Sequence, residues 1–537
     1  MSLSRHSLDG RRAGALVPLF SIPTARSWGI GEISDLPAFA WWQRQAGFTV
    51  LQLLPVNEMA HGQSSPYSAL SAMAIDPIFI SVEDVPEFAA IGGAETLTAE
   101  QQQRLAAVRA AKAVQHADVR ALKTEVLQSV FELFFDEQLQ PGSPRAAEFR
   151  AYTERESWWL KDYALFRALH AAHEERSWTE WDAAVRARQP EAIADAHTRL
   201  QREILYYEWL QWLAGQQWAA ARDAAGIAIL GDFPFMVSAD SADVWSRQHE
   251  FRVDTSVGVP PDAFSETGQD WGLPAYRWEV LETNGYEWLR QRATRCAELF
   301  DGFRVDHLVG FYRTYVREKD GSTGFHPPDE PSQLAQGERL LTLFREHGGY
   351  IIAEDLGTVP EFVRASLDRL GVPGLKVLRW ERNWKADGKP FIDPTAYPAV
   401  SVAISGTHDT ETTAEWWAQA DAEERTAVTE VSHLRRSGIQ PDEPYSDRVR
   451  DALLEALFAA RSELLLVPVQ DVFGWCDRIN VPAVVSDTNW SWRMPWTADR
   501  LATEPEALER AQFIRRLVQD TGRATEENTE EPRGRAL

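Results

Sequence analysis

The sequence predicts an α/β fold of the (β/α)8 TIM-barrel class, with helical insertions between strands 2 and 3 and between strands 7 and 8. Eight short runs are continuously apolar, which is typical of parallel strands buried on both faces. Helix-forming segments separate most of these runs, and eight strand–helix repeats describe a closed barrel. The length of 537 residues fits one barrel that carries insertions.

The eight predicted strands are short, and turn or helix signals bound them. In chain order they are Ala15–Phe20, Phe48–Pro55, Ile227–Phe235, Gly302–Asp306, Ile351–Glu354, Leu375–Trp380, Val400–Ser405 and Leu464–Val469. In such a barrel the carboxyl ends of all strands meet at one mouth, and catalytic residues lie there.

Three connecting segments have particularly clear helix signals. Ser34 is predicted to cap a helix over Asp35–Gln45, which Gly47 stops. Trp288–Phe300 has a helical pattern, and Pro360–Leu370 has Pro at its start and Gly just past its end. These helices are expected to cover the outside of the barrel.

Two long connections are predicted to be helical insertions. Thr98–Glu137 and Ala146–Asp223 are rich in helix-forming residues, with a Pro-Gly-Ser-Pro break at 141–144. A second helical stretch, Thr412–Ser462, separates strands seven and eight. The predicted organisation is a first part of the barrel (1–82), an inserted, mainly helical subdomain (83–222), the remainder of the barrel (223–520) and a polar, disordered tail (521–537).

Charge and cysteine content restrict the partners and the compartment. The chain has 55 Lys and Arg against 80 Asp and Glu, a formal charge of −25, which disfavours nucleic acids and anionic membranes as partners. The two cysteines, Cys296 and Cys476, permit one disulfide but fit a reducing cytoplasm more simply. No signal-peptide core is visible, and no apolar run reaches the roughly 18 residues of a spanning helix. We therefore expect a cytoplasmic protein.

The 22 Trp residues are an unusual feature of the composition. Trp packs well in cores, and its flat apolar face also stacks on the rings of sugars. Composition alone does not choose between these two uses.

Three predicted strands end in carboxylates at the barrel mouth. Strand four ends in Asp306, strand five in Glu354, and the segment after strand seven contains Asp409. Hydrolysis or transfer at a glycosidic bond needs two carboxyl groups, one as nucleophile and one as acid and base, and neighbouring strands can supply them. Arg304 lies two residues before Asp306, so both face the same side of the strand, and the guanidinium favours an ionised carboxylate.

Two other interpretations of these residues are open. A single Asp after a strand is more often a helix cap or a turn residue. The histidines beside the carboxylates, His307 and His408, also suit a metal site, but the sequence has no HExxH motif and no paired His at ligand spacing. Three strand-end carboxylates in one barrel favour glycosidic chemistry over both.

Several ordered motifs resemble the amylomaltase or disproportionating-enzyme family, the 4-α-glucanotransferases of glycoside hydrolase family 77. The resemblance runs from about Pro18 to Trp492. It rests on the segments SIPTARSWGIGEISDL, SSPY, GDFPFMVSADSADVW, VGVPPDAFSETGQDWGLPAY, FRVDH, AEDLG, SGTHD, VPVQD and NWSWR. The fourth of these is similar to the glucan-guiding loop of the family, here within residues 255–278.

The resemblance implies a role for each site residue. It makes Asp306 the nucleophile, Glu354 the general acid/base and Asp409 the stabiliser of the transition state. The implied substrate-binding and supporting residues are Tyr67, Asp232, Phe264, Gln269, Trp271, Arg304, His408 and Asp355. It also implies no cofactor and no metal, with maltooligosaccharides and glucans derived from starch or glycogen as substrates and glucose as an acceptor. Two uses of Asn489, Trp490, Trp492 and Arg493 are open, closure of the barrel mouth and packing in its core, and we favour packing.

The sequence departs from the family pattern away from the three carboxylates. Ala263 replaces a usual Tyr, and Leu273 replaces a usual Asn. Thr410-Glu411 replaces the common Asn-Asp after Asp409, and Ala483 replaces a common Gly. These changes affect the expected acceptor preference more than the expected reaction.

Three rival functions remain at the level of sequence. An α-amylase-like retaining hydrolase uses the same carboxylates, but the guiding-loop motif argues against it. A non-catalytic glucan-binding protein would not need all three carboxylates. A barrel lyase or aldolase often uses a Schiff-base Lys, and no Lys stands at the strand ends of these motifs.

Overall fold

The computed structural model of the chain describes residues 6, 8–60, 62–261, 268–482, 484 and 486–524. Eight parallel strands close into a barrel in chain order, which confirms the predicted fold class. Barrel strands one to eight are Arg12–Leu16, Val50–Gln52, Ala228–Phe233, Gly302–Val305, Tyr350–Ala353, Gly374–Val377, Ser401–Ile404 and Leu464–Pro468.

Side chains alternate between the inside and the outside of the barrel along each strand. One buried cluster, with Leu230, Ile352 and Val402 among its members, fills the barrel interior. Their strand neighbours Ile229 and Ala403 belong to the larger cluster that also contains the covering helices. Burial on both faces explains why the strands are continuously apolar in sequence.

The first barrel strand lies earlier in the chain than predicted. The prediction began at Ala15, whereas the strand ends at Leu16 and Leu19–Ser21 form a turn of 3₁₀-helix. Pro18 has no backbone N–H for a strand ladder, so the sheet ends before it. Close packing also explains Gly14, because a Cβ there would lie within 2.7 Å of the backbone of Val50.

Helices fill the connections between the strands. Those between strands two and three are Pro86–Ala90, Ala99–Ala110, His116–Phe134, Pro144–Arg155, Ser157–Ala172, Ala183–Arg186, Pro190–Arg199 and Gln201–Ala225. Those between strands seven and eight are Thr413–Gln419, Ala422–Thr429, Ser432–Arg436 and Asp447–Phe458. The others are Leu36–Gln45, Ala242–Ser246, Trp278–Thr283, Glu287–Leu299, Val309–Tyr312, Glu330–Gly348, Glu361–Leu370, Val469–Phe473 and Pro505–Asp520. The division of the chain into subdomains stays a prediction.

Two local predictions about helices and the tail were wrong. Asp35, rather than Ser34, is the residue immediately before the helix Leu36–Gln45, and its side chain accepts a hydrogen bond from the backbone N–H of Glu32 at 2.6 Å within the preceding 3₁₀ turn Ile33–Asp35. The predicted disorder from Thr521 begins too early, because Arg523 is fully buried and donates to the carbonyl oxygens of Phe458 (3.0 Å) and other residues. Residues 525–537 lie outside the described part of the chain.

A four-stranded antiparallel sheet stands beside the barrel, and the sequence analysis did not predict it. Its strands, in spatial order, are Gln269–Tyr276, Phe251–Val259, Thr314–Arg317 and Thr323–His326. The predicted guiding loop at 255–278 is therefore largely the end of a β-hairpin whose residues 262–267 are not described. The two other strands follow barrel strand four, so the sheet joins two connections near the mouth.

The described residues allow a comparison with three expectations from composition: the use of the Trp residues, the state of the cysteines and the presence of a spanning helix. Most of the 22 Trp are buried in the core, as the packing interpretation predicts. Cys296 and Cys476 are not joined by a disulfide. Within the described ranges, no helix has both the length and the apolar character needed to span a membrane.

Candidate active site

The three predicted carboxylates lie at the same end of the barrel. Strands four and five are paired in register, with Val305 opposite Ala353, so Asp306 and Glu354 follow neighbouring strand ends. The backbone N–H of Glu354 donates to the carbonyl of Val305 at 3.1 Å, which continues the pairing past the strands. Asp409 lies in the loop after strand seven.

Arg304 connects the acidic side chains at this mouth. Its Nη1 donates to both oxygens of Asp232, at 2.8 and 2.7 Å, and its Nη2 donates to Oδ1 of Asp306 at 2.8 Å. The same Nη2 lies 3.5 Å from Oε2 of Glu354. Arg304 and Asp232 are 6% and 0% exposed, whereas the Asp306 side chain is 30% exposed, so incoming molecules can reach Asp306 but not Asp232.

Glu354 is held where its protonated form is favoured. Burial raises the pKa of Glu354 to about 7; the charge of Asp306 adds to this effect, while Arg304 opposes it. Its Oε2 also accepts a hydrogen bond from the backbone N–H of His307 at 2.6 Å. Near neutral pH this carboxyl group can therefore both give and take a proton.

Asp409 has the opposite electrostatic character. Burial acts to raise its pKa, but the neighbouring His408 and a hydrogen bond from Asn480 outweigh burial and hold the pKa well below its usual range. Nε2 of His408 lies 3.3 Å from Oδ2 of Asp409. Burial lowers the pKa of His408, and the charge of Asp409 more than compensates and raises it. The two side chains therefore favour an ion pair beside the site.

An aromatic wall borders the carboxylates. The Tyr67 ring stacks on the His408 ring with centroids 5.2 Å apart and planes 19° apart, and Trp490 packs against both. The Tyr67 hydroxyl donates to Oδ2 of Asp232 at 2.8 Å. Burial and the charge of Asp232 raise the pKa of Tyr67, so the hydroxyl remains a donor. Trp490 is buried, as predicted for packing, and it also forms part of this wall.

The hairpin reaches the site through Trp271. The Trp271 ring meets the His307 ring edge to face, with centroids 4.9 Å apart, and its Nε1 donates to Oε1 of Gln269 at 3.0 Å. Burial lowers the pKa of His307 to about 4, so this ring is neutral at neutral pH. Phe264 lies outside the described residues, as do Ala263 and Ala483.

Asp355 is the one described site residue that the structure does not bring to the mouth. Its carboxylate accepts a hydrogen bond from the backbone N–H of Leu375 at 2.8 Å and pairs with Arg364 at 3.0 Å. Arg364 belongs to the helix outside the barrel, and Asp355 is buried in the wall. Asp355 follows Glu354 directly, and successive residues of a strand point to opposite faces, so its contacts are with strand six and the outer helix. Its expected support of Glu354 stays a prediction.

Sequence reasoning missed the residues that surround Asp409. Asn480, Arg478 and Arg379 contact its loop, and two of them come from the connection after strand eight. The only feature of the sequence that pointed to these contacts was an Arg and an Asn close together in that connection. Among the described residues, no group of three His, Cys, Asp or Glu side chains is arranged to hold a metal ion.

Comparisons with known proteins show the family of the chain. The Glyco_hydro_77 family model, described as 4-alpha-glucanotransferase, matches residues 17–499. The chain belongs to this family. The predicted enzyme class, a 4-alpha-glucanotransferase acting on α-1,4-glucans, is thereby confirmed.

Individual family members resemble the chain over most of its length. It is 34% identical over 524 residues to the 4-alpha-glucanotransferase of Thermus thermophilus, covering 93% of this chain and 99% of the relative. The Chlamydia pneumoniae 4-alpha-glucanotransferase is 31% identical over 505 residues, with coverage of 91% and 92%. An amylomaltase from Streptococcus agalactiae, solved in complex with acarbose, superposes with a TM-score of 0.79 at 26% identity, covering 96% and 100% of the two chains.

Proposed function

We propose that this chain transfers segments of α-1,4-glucan between maltooligosaccharides, or to glucose, through a covalent aspartyl-glycosyl intermediate. Asp306 is the nucleophile, Glu354 the general acid and base, and Asp409 the group that stabilises the positive charge of the transition state. Donors would be maltooligosaccharides and glucans derived from starch or glycogen. The 4-alpha-glucanotransferase activity follows from the family. The covalent intermediate, the role of each carboxylate and the choice of donors and acceptors are our proposal.

One observation carries the mechanism: a single nitrogen of Arg304 lies 2.8 Å from Asp306 and 3.5 Å from Glu354. The nearest oxygens of the two carboxyl groups are therefore at most about 6.3 Å apart. Retaining glycosidases separate their carboxyl groups by about 5–5.5 Å, and inverting ones by roughly 6.5–9.5 Å to admit a water. An upper bound of about 6.3 Å includes the retaining separation, so the geometry is compatible with double displacement and retention.

In the first half of the proposed cycle, Glu354 gives its proton to the glycosidic oxygen while Asp306 attacks the anomeric carbon. The bond to the leaving glucan breaks, and that glucan departs with a free 4-hydroxyl group. In the second half, Glu354 takes the proton from the 4-hydroxyl of an acceptor, which attacks the anomeric carbon and releases Asp306. The raised pKa of Glu354, about 7, suits both proton transfers.

Transfer exceeds hydrolysis only if water is kept from the intermediate while the acceptor is bound. The hairpin that carries Trp271 and Phe264 is our candidate for this shielding. Trp271 contacts the ring of His307, the residue next to the nucleophile, so the hairpin and the nucleophile turn share one surface. Tyr67 offers a stacking face for the sugar at the bond being broken, and Arg304 and His408 offer donors to it.

Product analysis after incubation with maltotriose tests the proposal. A ladder of longer maltooligosaccharides plus glucose, with a constant number of reducing ends, is expected from the unaltered chain. Asp306→Asn should abolish the ladder. A rising number of reducing ends without a ladder would instead indicate a hydrolase, and binding without turnover would indicate a glucan-binding protein.

The shielding role has its own test. Phe264→Ala should raise the ratio of hydrolysis to transfer, and Val253→Ala on an exposed part of the same hairpin should leave it unchanged. The ratio is measured from reducing ends and ladder products in one reaction. An unchanged ratio in Phe264→Ala would show that this residue does not shield the intermediate.

A further inference from the structure

The connection after strand eight reaches across the mouth to the loop that carries Asp409. Nδ2 of Asn480 donates to Oδ1 of Asp409 at 2.7 Å, and the backbone N–H of Asn480 donates to the carbonyl of His408 at 3.1 Å. Oδ2 of Asp409 faces His408 at 3.3 Å. Each oxygen of this carboxylate thus has its own partner, which fixes both the position and the rotation of the group.

Two arginines secure the backbone on either side of this contact. Nη2 of Arg478 donates to the carbonyl of Asp409 at 2.8 Å, and its Nη1 lies 3.3 Å from Oε1 of Glu411. Arg379, from the end of strand six, pairs with the other oxygen of Glu411 at 2.9 Å and donates to its carbonyl at 2.7 Å. Glu411 therefore links the connections that follow strands six, seven and eight.

Arg478 also orders the segment that presents Asn480. Its Nε donates to the carbonyl of Asn480 at 3.2 Å. Arg478 and Arg379 are 17% and 4% exposed and Glu411 is 36% exposed, so the arginine side of these ion pairs is shielded from solvent. The longer side chain of Glu411, where the family commonly has Asp, allows its two oxygens to contact different arginines.

We propose that Asn480 is a positioning residue for the reaction: its amide, held by the Arg478–Glu411–Arg379 network, fixes the Asp409 carboxylate in its ionised form. This inference rests on the proposed function, in which Asp409 stabilises positive charge. An amide N–H donor favours the anion over the neutral acid. Small displacements of a stabilising charge reduce catalysis strongly, because its effect depends on preorganised geometry.

The alternative is that Asn480 only maintains the fold of the loop, and Asn489 provides a matched control for that role. Asn489 lies in the same connection, where it accepts from the backbone N–H of Val481 at 3.1 Å and donates to the carbonyl of Val484 at 2.8 Å. It has no described contact with Asp409. Asn480→Asp and Asn489→Asp change the same atoms and the same charge in one loop, but only the first faces the carboxylate.

The experiment measures the pH dependence of transfer from maltotriose by the full chain and these two variants. In Asn480→Asp two carboxyl groups meet at a hydrogen-bonding distance, and they cannot both ionise easily. We expect the acid limb of kcat/KM to move up by about one pH unit or more, with kcat lowered about tenfold to a hundredfold at pH 6 and KM little changed. Asn489→Asp should lower the thermal stability without moving either limb.

A second variant separates the loss of the hydrogen bond from the effect of the added charge on folding. Asn480→Ala removes the donor without adding charge, so the acid limb should move in the same direction by a smaller amount. Equal effects of Asn480→Asp and Asn489→Asp, with unmoved limbs, would overturn the positioning role. The absence of a ladder from the unaltered chain would instead overturn the proposed function, and this role with it.

Discussion

Replacing Glu354 with Gln should stabilise the folded protein above neutral pH while it abolishes transfer. The pKa of Glu354 is raised from a usual 4.5 to about 7, chiefly by burial. Between these two values the folded chain holds a proton that the unfolded chain has released. Stability therefore falls as the pH rises through this window, and the full cost remains above it. Gln carries no such cost.

The magnitude follows from the size of the shift. Each pKa unit corresponds to about 1.4 kcal/mol, so the shift costs about 3 kcal/mol at pH 8 and well under half of that at pH 5. A chain of 537 residues has an unfolding entropy of roughly 1.1 kcal/mol per kelvin at its melting temperature. The melting temperature of Glu354→Gln relative to the unaltered chain should thus rise by about 2 °C between pH 5 and pH 8.

Differential scanning fluorimetry from pH 4.5 to pH 8.5 measures this difference. Glu208→Gln is a positive control away from the site, because burial also raises the pKa of Glu208 to about 7. Glu100→Gln, at an exposed position in the helix Ala99–Ala110, removes the same formal charge without burial. The same titration should appear in kcat/KM of the unaltered chain as an alkaline limb near pH 7. A constant difference in melting temperature across the range would refute the argument.

Two further substitutions test contacts around the site. Tyr67→Phe keeps the stacking face but removes the 2.8 Å hydrogen bond to Asp232; a bond to a charged group contributes about 1.5–3 kcal/mol, so kcat/KM for maltotriose should fall about tenfold to a hundredfold. Gly374→Ala would bring a Cβ within 2.6 Å of the Asp355 carboxylate, and the melting temperature should fall by about 1–3 °C. Gly324→Ala, where a Cβ meets no atom within 4 Å, is the control and should leave it unchanged.

The barrel was predictable because its signal repeats. Each strand is apolar on both faces, as Ile229 and Leu230 illustrate by packing outside and inside the barrel respectively. The topology then brings all carboxyl strand ends to one mouth, so strand order alone predicts that Asp306 and Glu354 are neighbours. Strand ends were less certain, since Pro18 and the local ladder decide where pairing stops.

The antiparallel sheet was not predictable in the same way. Its strand Phe251–Val259 does not alternate between buried and exposed residues: Phe251 and Val257 are buried near its ends, and the neighbouring Val253 and Asp254 are both exposed. Pairing with Thr314–Arg317 joins segments more than 50 residues apart, and no local pattern announces such a partner. The motif of the guiding loop could be recognised in the sequence, whereas the sheet to which its flanking strands belong could not be predicted from it.

Contacts between loops could not be predicted from the sequence, even at the centre of the site. Asp409 lies beyond a strand whose register fixes its approximate location, but Asn480 reaches it from a connection 71 residues later in the chain. That contact depends on Arg478 and on Glu411, which pairs with both Arg379 and Arg478. In the sequence, each of these residues looks like an ordinary surface charge. The connections that follow strands six, seven and eight meet at the Glu411 side chain. Removal of this side chain should therefore make the position of Asp409 less fixed, while the barrel strands beneath it stay undisturbed.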